Sequence, residues 1–491
     1  MSRPSLFRTK SIFKIQNEMK EGSSAHSVSL RRHLGAPSLV LFGIGVLIGA
    51  GIFSLTGMAA GLYAGPGIVF SFMISAVACA LAGLCYAEFA SMVPAAGSAY
   101  TYAYTTLGEF FAWIIGWDLV LEYAVGAATV SASWSAYLLK FCGQLHIPLP
   151  IQWAATPFDV VTLANGAHAH GIINLPAVFI VVLMSLVLIK GIRESAMLNA
   201  VLVGVKLLVI FAFIGLGWSY MSPANHHPFV PPNTGEFGHF GWSGVLRGSA
   251  VIFFAYIGFD AVSTAAQEAK NPRKDMPIGI LGSLLVCTAL YCIFSYVLTG
   301  LASYKEFTGL SGLAPVAIAI SHTPYGLFTL LVEVAILAGF SSVIMILLLG
   351  QSRVFYSMSK DGLLPAMFSD LHPKFRTPWK SNILFAVFVS LFAGLVPGNV
   401  IGEMTSIGTL LAFVIVCIAV IRLRYTMPDA PRAFVTPFVP WVPIAGAASC
   451  ILIMCSLPWE TWVRLVIWLI LGWILYFGYS RWNSKLNGEA Q

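Results

Sequence analysis

Apolar runs long enough to cross a lipid bilayer recur along almost the whole chain. A helix needs about 20 residues to cross roughly 30 Å of hydrocarbon. Only 10% of the 491 residues are charged, whereas a soluble domain carries about 25%. The pattern predicts an all-α integral membrane protein with twelve spans. The predicted spans lie near residues 36–60, 66–91, 108–139, 172–190, 196–219, 243–267, 276–301, 325–350, 381–396, 402–424, 439–457 and 460–480.

The distribution of basic residues predicts how the chain is oriented in the membrane. The formal net charge is +7, but the basic residues lie in short loops between apolar runs, which argues against a nucleic-acid partner. With a cytoplasmic N-terminus, most of the 27 lysines and arginines fall on the cytoplasmic side, as the positive-inside rule requires. The first 35 residues lack the pattern of a cleaved signal peptide. We therefore predict a cell-membrane protein with both termini in the cytoplasm.

Glycines interrupt two predicted spans at matching depths. The first break contains Gly49, Ala50 and Gly51, and the second contains Tyr256, Ile257 and Gly258. Each lies about 20 Å into its span, near the bilayer midplane. Because five spans separate the first from the sixth, the sequence predicts two inverted five-helix repeats, as in many secondary transporters. The predicted organisation is a tail at 1–35, repeats at 36–220 and 241–425, two further spans at 439–480 and a tail at 481–491.

The two breaks predict a binding site, because an unpaired backbone group inside a membrane costs several kcal/mol. The restarted half of the first broken span offers the amides of Ala50, Gly51 and Ile52 at a positive helix end, which suits a carboxylate. Glycine at 49 and 51 lets a ligand approach the backbone closely. Ordinary packing glycines are the alternative interpretation. Carbonyls suited to an ammonium group lie near Leu47, Phe254, Ala255 and Ile257.

Two charged residues inside predicted spans are candidate functional groups, because a charge at that depth is costly. Lys206 lies about 16 Å into its span, too deep for its ammonium group to reach the cytoplasmic surface. It therefore requires a polar partner inside the bundle. Glu122 lies deep enough to be that partner. A fixed structural role is the alternative for both residues.

Other polar residues have structural interpretations. Asp260 and Glu268 follow the second break, and Asp260 is predicted to cap the restarted helix. Four histidines lie in predicted external loops, namely His168, His170, His226 and His227. They lack a third clustered ligand, and the eight cysteines lack zinc spacing. We therefore predict no metal site and no cofactor.

Several motifs resemble a known family. The most specific runs from Phe253 to Thr264 (FFAYIGFDAVST) and is followed by motifs at 270–272 and 275–279. Further motifs lie at 48–53, 86–89, 97–102, 116–123, 352–356 and 361–365. Through these motifs, residues 30 to about 425 resemble the cationic amino acid transporter family of the amino acid, polyamine and organocation (APC) superfamily.

The resemblance implies a function as well as a fold. It implies two inverted repeats, a substrate held at the breaks of spans 1 and 6, and proton coupling through a lysine at the position of Lys206. Vertebrate cationic members carry a serine where this chain has Leu347. The bulkier leucine implies a smaller, neutral substrate.

We predict proton-coupled symport of a neutral L-amino acid by alternating access, with spans 1, 2, 6 and 7 moving against the rest. The predicted partners are the amino acid, protons and the lipid bilayer, and neither an oligomer nor a single-span subunit is indicated. A carrier or exchanger of cationic amino acids or polyamines is the first alternative, because Asp260 and Glu122 are acidic. A nutrient-sensing receptor is disfavoured by the short tails. An enzyme is disfavoured because no nucleophile, base or metal cluster is evident.

Overall fold

The described part of the chain is helical in almost all of its ordered segments. The computed structural model describes residues 6–10, 35–92, 98–163, 166–190, 196–259, 262, 269–375, 377–429, 432 and 434–487. The helix cap predicted at Asp260 and the neighbouring Glu268 lie outside these residues.

The principal helices follow one another with short connections. They are α1 (Ala36–Leu47), α2 (51–64), α3 (Ile68–Met92), α4 (Ser98–Thr106), α5 (Glu109–Gln144), α6 (Leu175–Lys190), α7 (Ala196–Gly217), α8 (Gly241–Ile252), α9 (Pro272–Leu301), α10 (Pro315–Ser321), α11 (Gly326–Lys360), α12 (Trp379–Leu395), α13 (Gly398–Thr426), α14 (Trp441–Cys455) and α15 (Trp459–Asn483). Single π-helical turns lie in α2 at Gly51–Leu55 and Ala60–Ala64, in α5 at Leu121–Val125 and in α15 at Tyr476–Ser480. Short 3-10 segments lie at Gly65–Gly67, Ile151–Ala154, Trp218–Tyr220, Pro223–His226, Phe253–Tyr256, Tyr304–Glu306, Gly309–Leu313, Ala366–Ser369 and Lys485–Asn487.

The helices agree with the apolar runs of the sequence. Within the described residues, seven helical stretches are long and apolar enough to cross a membrane, and α1, α6, α12 and α14 are shorter apolar helices. The predicted all-helical class is therefore confirmed. Two boundaries differ from the prediction, since helix α11 continues to Lys360 rather than ending near residue 350, and α5 continues past Cys142. Two further helices, α4 and α10, form between the predicted spans.

A short β-hairpin lies between α5 and α6, where the sequence predicted a loop. Its strands are β1 (Val160–Thr162) and β2 (His168–His170). They pair antiparallel, with Val160 opposite His170 and Thr162 opposite His168. Val, Val and Thr in β1 are β-branched residues that favour extended backbone, but three residues are too few for an alternating pattern to be recognised.

The helices pack as two groups around the broken spans. Helix α9 packs against α1 and α3, and α8 packs against α2 and α3. In the second group α5 packs against α11 and α13, and α12 packs against α6. Helix α7 packs against both α9 and α11. The broken helices α1, α2 and α8 therefore lie where the two groups can meet.

Polar contacts hold part of the predicted N-terminal tail against the bundle. The backbone N–H of Lys10 donates to the Tyr104 carbonyl at 3.0 Å, and that of Glu109 donates to the Arg8 carbonyl at 2.9 Å. The ammonium group of Lys10 lies 3.1 Å from Asp361, which also accepts a hydrogen bond from Tyr100 at 2.8 Å. Residues 6–10 are therefore docked on α4, α5 and the end of α11.

A second polar cluster joins α2 and α8 to α13 and α15. The Glu403 carboxylate lies 3.7 Å from Arg247 and 3.9 Å from Arg464. It also accepts hydrogen bonds from Tyr63 at 3.4 Å and Thr461 at 2.8 Å. The cost of placing Arg247 inside a span is thus offset by a buried partner of opposite charge.

Candidate functional site

The first break lies where the glycines predict it. Helix α1 ends at Leu47, and Ile48 is extended with φ −74° and ψ 101°. The N–H of Phe53 donates to the Gly49 carbonyl at 3.3 Å, so the helix resumes immediately afterwards. The amides of Ala50, Gly51 and Ile52 occupy the first turn, whose N–H groups have no partner within their own helix. The break therefore presents donors at a positive helix end.

The second break has a different construction. Helix α8 ends at Ile252 and tightens into the 3-10 segment Phe253–Tyr256. Ile257 is extended, with φ −63° and ψ 133°, and its N–H donates to the Phe254 carbonyl at 3.2 Å. Gly258 follows with φ +106°, a conformation that residues with a Cβ rarely adopt. The glycine is therefore required by the backbone turn itself.

The two breaks touch at Gly51 and Ala255. A Cβ built on Gly51 would overlap the Cα of Ala255, so the backbones of α2 and the 3-10 segment meet directly. A Cβ built on Gly49 would lie 3.3 Å from a methyl carbon of Val343, which is tight but not overlapping. The absence of a side chain at Gly51 is therefore required by packing against Ala255, and its predicted role in ligand approach stays a prediction.

A cavity lies between the two breaks and α11. The atom-free space at this cavity is about 420 Å³, a volume that includes space open to solvent. Every lining side chain among the described residues is apolar or absent, so polar groups can come only from the backbone. The lining residues are Val46, Leu47, Gly49, Ala50, Gly51, Phe254, Ile257, Gly258, Val343, Ile346 and Leu347. The predicted binding residues Ile52 and Ala255 are not among these lining residues, but each directly follows one of them, Gly51 and Phe254 respectively.

Gly126 of α5 packs beside two residues that line the cavity, which the sequence did not predict. A Cβ built on Gly126 would lie 3.4 Å from a methyl carbon of Thr405 and 3.7 Å from both Leu347 Cδ1 and Phe254 Cε2. A side chain longer than that of alanine would therefore meet two lining residues. A glycine in an apolar helix usually indicates helix packing, so the sequence alone gives no signal for this position.

Tyr291 of α9 is a second residue that the sequence did not indicate. Its hydroxyl oxygen lies 2.7 Å from the Leu47 carbonyl and 3.0 Å from the Ala255 carbonyl. Both carbonyls belong to the predicted ammonium-binding set, and each contacts this hydroxyl. An aromatic residue in the middle of an apolar helix is most simply read as core, so no sequence signal separates Tyr291 from its neighbours.

Lys206 lies beside the last turns of α1, before the first break, and is not among the residues that line the cavity. Its side chain is 4% exposed, and its Nζ donates to the Gly45 carbonyl at 3.4 Å. A Cβ built on Gly339 of α11 would lie 3.2 Å from Lys206 Cε, so the stem of the lysine packs where α11 has no side chain. Lys206 therefore contacts α1 and α11 from α7.

Glu122 lies in the π-helical turn Leu121–Val125 of α5 and is buried. This turn packs against α11 and α13. Gly126, one helical turn further, lies beside the lining residues Leu347 and Phe254. The interaction of Glu122 with Lys206 stays a prediction.

The histidines of the loops lie away from the cavity. His168 and His170 are exposed on β2. His226 Nε2 lies 3.2 Å from the Tyr296 carbonyl, and burial lowers the pKa of its imidazole. Among the described residues, no group of three or more His, Cys, Asp or Glu side chains is arranged to hold a metal ion.

Comparison with known proteins identifies the family. The branched-chain amino acid permease BcaP of Bacillus subtilis (strain 168) is 43% identical over 483 residues, which cover 98% of this chain and 99% of the permease. The methylthioribose transporter of the same strain is 41% identical over 485 residues, with the same coverage. The vacuolar cationic amino acid transporter 4 of Arabidopsis thaliana is 36% identical over 409 residues, 82% of this chain and 64% of the transporter.

These similarities confirm the resemblance drawn from the motifs, and they extend across both breaks and Lys206. The profile of the family described as amino acid permease matches residues 34–477, from the start of the first broken span into α15. The chain thus belongs to the amino acid permease family and is a multi-pass membrane transporter rather than an enzyme.

Proposed function

We propose that this protein is a proton-coupled symporter for a neutral L-amino acid with an apolar side chain. The observation that carries the proposal is the cavity at the two breaks, where backbone donors and acceptors adjoin an apolar wall. A free amino acid has the matching chemistry, since it combines a carboxylate, an ammonium group and, in the branched-chain members, an apolar side chain.

The cavity suggests one orientation of the substrate. The carboxylate binds the first-turn amides at Ala50 to Ile52, because these N–H groups and the helix dipole favour an anion. The ammonium group binds carbonyls of the two breaks. The side chain packs on Val343, Ile346 and Leu347, which line the cavity from α11. Each apolar carbon removed from water contributes about 0.8 kcal/mol, so a branched-chain amino acid is favoured over alanine.

Two other substrates are weaker candidates. A cationic amino acid needs an acidic partner for its side chain, and none of the described side chains that line the cavity is charged. Methylthioribose is the substrate named for one relative with 41% identity. It is uncharged, so it would leave the positive helix end at Gly51 without an anion. An amino acid therefore fits the described residues better than either.

Proton coupling is assigned to Lys206. Its ammonium group is the side-chain donor to a carbonyl at the end of α1, and α1 also lines the cavity through Val46 and Leu47. Loss of the proton from Lys206 would weaken this bond and release the end of α1. Proton binding and substrate binding would then act on the same helix. Glu122 is proposed as a secondary group in the proton path.

The finer topology is part of the proposal. Helices α1 and α2 form the first span, and α8 with the following residues forms the sixth, which gives twelve spans. Residues 36–220 and 241–425 form two inverted repeats, and α14 and α15 are additions. The basic residues favour cytoplasmic termini in the plasma membrane. Alternating access would move spans 1, 2, 6 and 7 as one group, that is α1, α2, α3, α8 and α9.

Uptake by proteoliposomes tests this function. Purified protein is reconstituted, and accumulation of radiolabelled leucine is measured with and without an inward pH gradient. Competition uses valine, isoleucine, alanine, arginine and methylthioribose. We expect accumulation only with the gradient, and competition by valine and isoleucine at concentrations well below those needed for arginine.

The same assay can refute each part of the proposal. Leucine accumulation that ignores the pH gradient would reject proton coupling while keeping amino acid transport. Stronger competition by arginine would favour a cationic carrier. If only methylthioribose competes, the substrate of this site would be a sugar thioether rather than an amino acid.

A further inference from the structure

Tyr291 lies behind the cavity, yet it contacts a backbone carbonyl of each break. Its side chain is fully buried, at 0% exposure. The hydroxyl oxygen lies 2.7 Å from the carbonyl of Leu47, the last residue of α1, and 3.0 Å from that of Ala255, which precedes the second break. Two chain segments more than 200 residues apart in sequence thus meet at one atom.

The position of this hydroxyl is fixed by aromatic packing. The ring of Tyr291 lies 5.3 Å from the Phe72 ring and 5.5 Å from the Tyr256 ring, measured between centroids. Such tilted and edge-to-face pairs stabilise a ring position beyond simple burial. Because α3, the 3-10 segment and α9 each supply one ring, the hydroxyl can move only if these segments move together.

Tyr256 has a hydroxyl with similar surroundings but different partners. Its oxygen lies 3.0 Å from the Phe72 carbonyl and 3.2 Å from the Thr288 hydroxyl. Neither partner belongs to α1 or lines the cavity. Tyr256 therefore serves as a matched control, because the same change from tyrosine to phenylalanine removes a buried hydroxyl without touching the carbonyls of Leu47 and Ala255.

We propose that Tyr291 is a positioning residue for the ammonium group of the substrate. Its single proton satisfies only part of the capacity of two carbonyl oxygens, which have two lone pairs each. The remaining capacity is available to an ammonium group. By holding both oxygens within about 3 Å of one atom, a normal hydrogen-bond distance, the hydroxyl sets the separation and direction of the two carbonyls. This inference rests on the proposed amino acid site.

The test compares Tyr291→Phe with Tyr256→Phe in proteoliposomes. Affinity is measured for leucine and for 4-methylpentanoate, which has the carbon skeleton and carboxylate of leucine but no ammonium group. We expect Tyr291→Phe to lower the affinity for leucine about five- to tenfold, which is the effect of losing one hydrogen bond worth near 1 kcal/mol. Inhibition by 4-methylpentanoate should stay within twofold of wild type. Tyr256→Phe should leave both the leucine affinity and the inhibition by 4-methylpentanoate within about twofold of the wild-type values.

Three results would overturn the proposal. Equal weakening of both ligands by Tyr291→Phe would indicate a general structural role, and unchanged leucine affinity would remove any role. Failure of Tyr291→Phe to yield monodisperse protein, while Tyr256→Phe does, would make the hydroxyl a folding requirement. If the wild type binds no amino acid, the proposed function fails first, which separates that failure from this one.

Discussion

The two helix breaks differ in what meets their exposed carbonyls. At the first break the partners are side chains from other helices, since Lys206 donates to Gly45 and the Tyr291 hydroxyl contacts Leu47. At the second break the Ile257 amide of the same segment donates to the Phe254 carbonyl, and the Tyr291 hydroxyl also contacts Ala255. The turn there is set by Gly258 at φ +106°.

This difference suggests that the two breaks have different roles in transport. Under the proposed function, the first break depends on Lys206, whose proposed gain and loss of a proton would let the geometry of this break respond to pH. The second break takes its turn from its own backbone at Gly258 and shares the Tyr291 contact, so under the same proposal it would serve as a fixed wall for the substrate. A transporter needs both properties, because a site must recognise one ligand and also change its exposure.

The largest expected effect comes from the point where the breaks meet. Gly51→Ala adds a Cβ that would overlap Ala255, so the two segments must separate. Overpacking of this kind costs up to about 3 kcal/mol, and we expect leucine affinity to fall about 100-fold. Binding is measured by leucine-dependent thermal stabilisation of the purified protein.

Gly204→Ala is the control for this change. A Cβ at Gly204 would meet no atom within 4 Å, so its affinity should match that of the wild type. Wild-type affinity in Gly51→Ala would mean that the breaks do not need close contact, and the comparison between them would lose its basis.

The second prediction separates binding from coupling at the first break. An inward gradient of one pH unit stores about 1.4 kcal/mol per proton and supports about tenfold accumulation. Lys206→Gln keeps a donor for the Gly45 carbonyl but cannot exchange a proton. We expect gradient-driven accumulation of leucine to disappear, with the inside concentration equal to the outside one. Counterflow exchange of leucine should continue within several-fold of the wild-type rate.

Lys206→Arg should fail in the same assay, because a guanidinium group remains charged at every physiological pH. Full accumulation by Lys206→Gln would return Lys206 to a structural role. It would also leave the first break with no titratable partner among the contacts described above.

The third prediction concerns the part of the cavity wall that α11 supplies. Leu347→Ser removes apolar contacts and enlarges the space opposite Gly126. Full burial of a leucine side chain contributes about 1.5–3 kcal/mol. Because Leu347→Ser removes only part of this contribution, we expect leucine affinity to fall about fivefold. Arginine should become a measurable competitor. Leu331→Ser on the same helix is the control, since Leu331 is 63% exposed and lies outside the cavity lining.

The breaks could be predicted from the sequence because glycines lie at matching depths in two apolar spans. Gly258 meets a local requirement, since its φ of +106° is set by the turn within one segment. The cavity residues Leu47 and Phe254 followed from their distance to those glycines. Span positions followed from hydropathy for the same reason, since each run is long enough to be recognised alone.

Contacts between distant segments could not be predicted in this way. Tyr291 and Gly126 look like ordinary core and packing residues until α9 and α5 are placed beside the breaks. The overlap of Gly51 with Ala255 depends on the relative position of α2 and the 3-10 segment. The docking of residues 6–10 depends on Asp361, far away in sequence. Periodicity reports which face is apolar but not which residues meet.

The smallest expected effect concerns Gly49, which lies two residues before Gly51. A Cβ added at Gly49 would be tight against its neighbour but would not overlap it. A Cβ at Gly49 would lie 3.3 and 3.7 Å from the two methyl carbons of Val343. A contact of this kind requires a shift of a few tenths of an ångström, so Gly49→Ala should lower leucine affinity only about threefold, close to 0.7 kcal/mol.

A double-mutant comparison tests whether Val343 is the cause. Val343→Ala removes both methyl carbons and should alone lower leucine affinity about twofold, because a lining contact is lost. The double variant should bind leucine about as well as Val343→Ala alone, since residues in direct contact are not additive. Binding curves for the four proteins measure this coupling. Strictly additive losses would place the new methyl group against the substrate rather than against Val343, and Gly49 would then share with the amides of Ala50 and Gly51 the task of admitting the ligand.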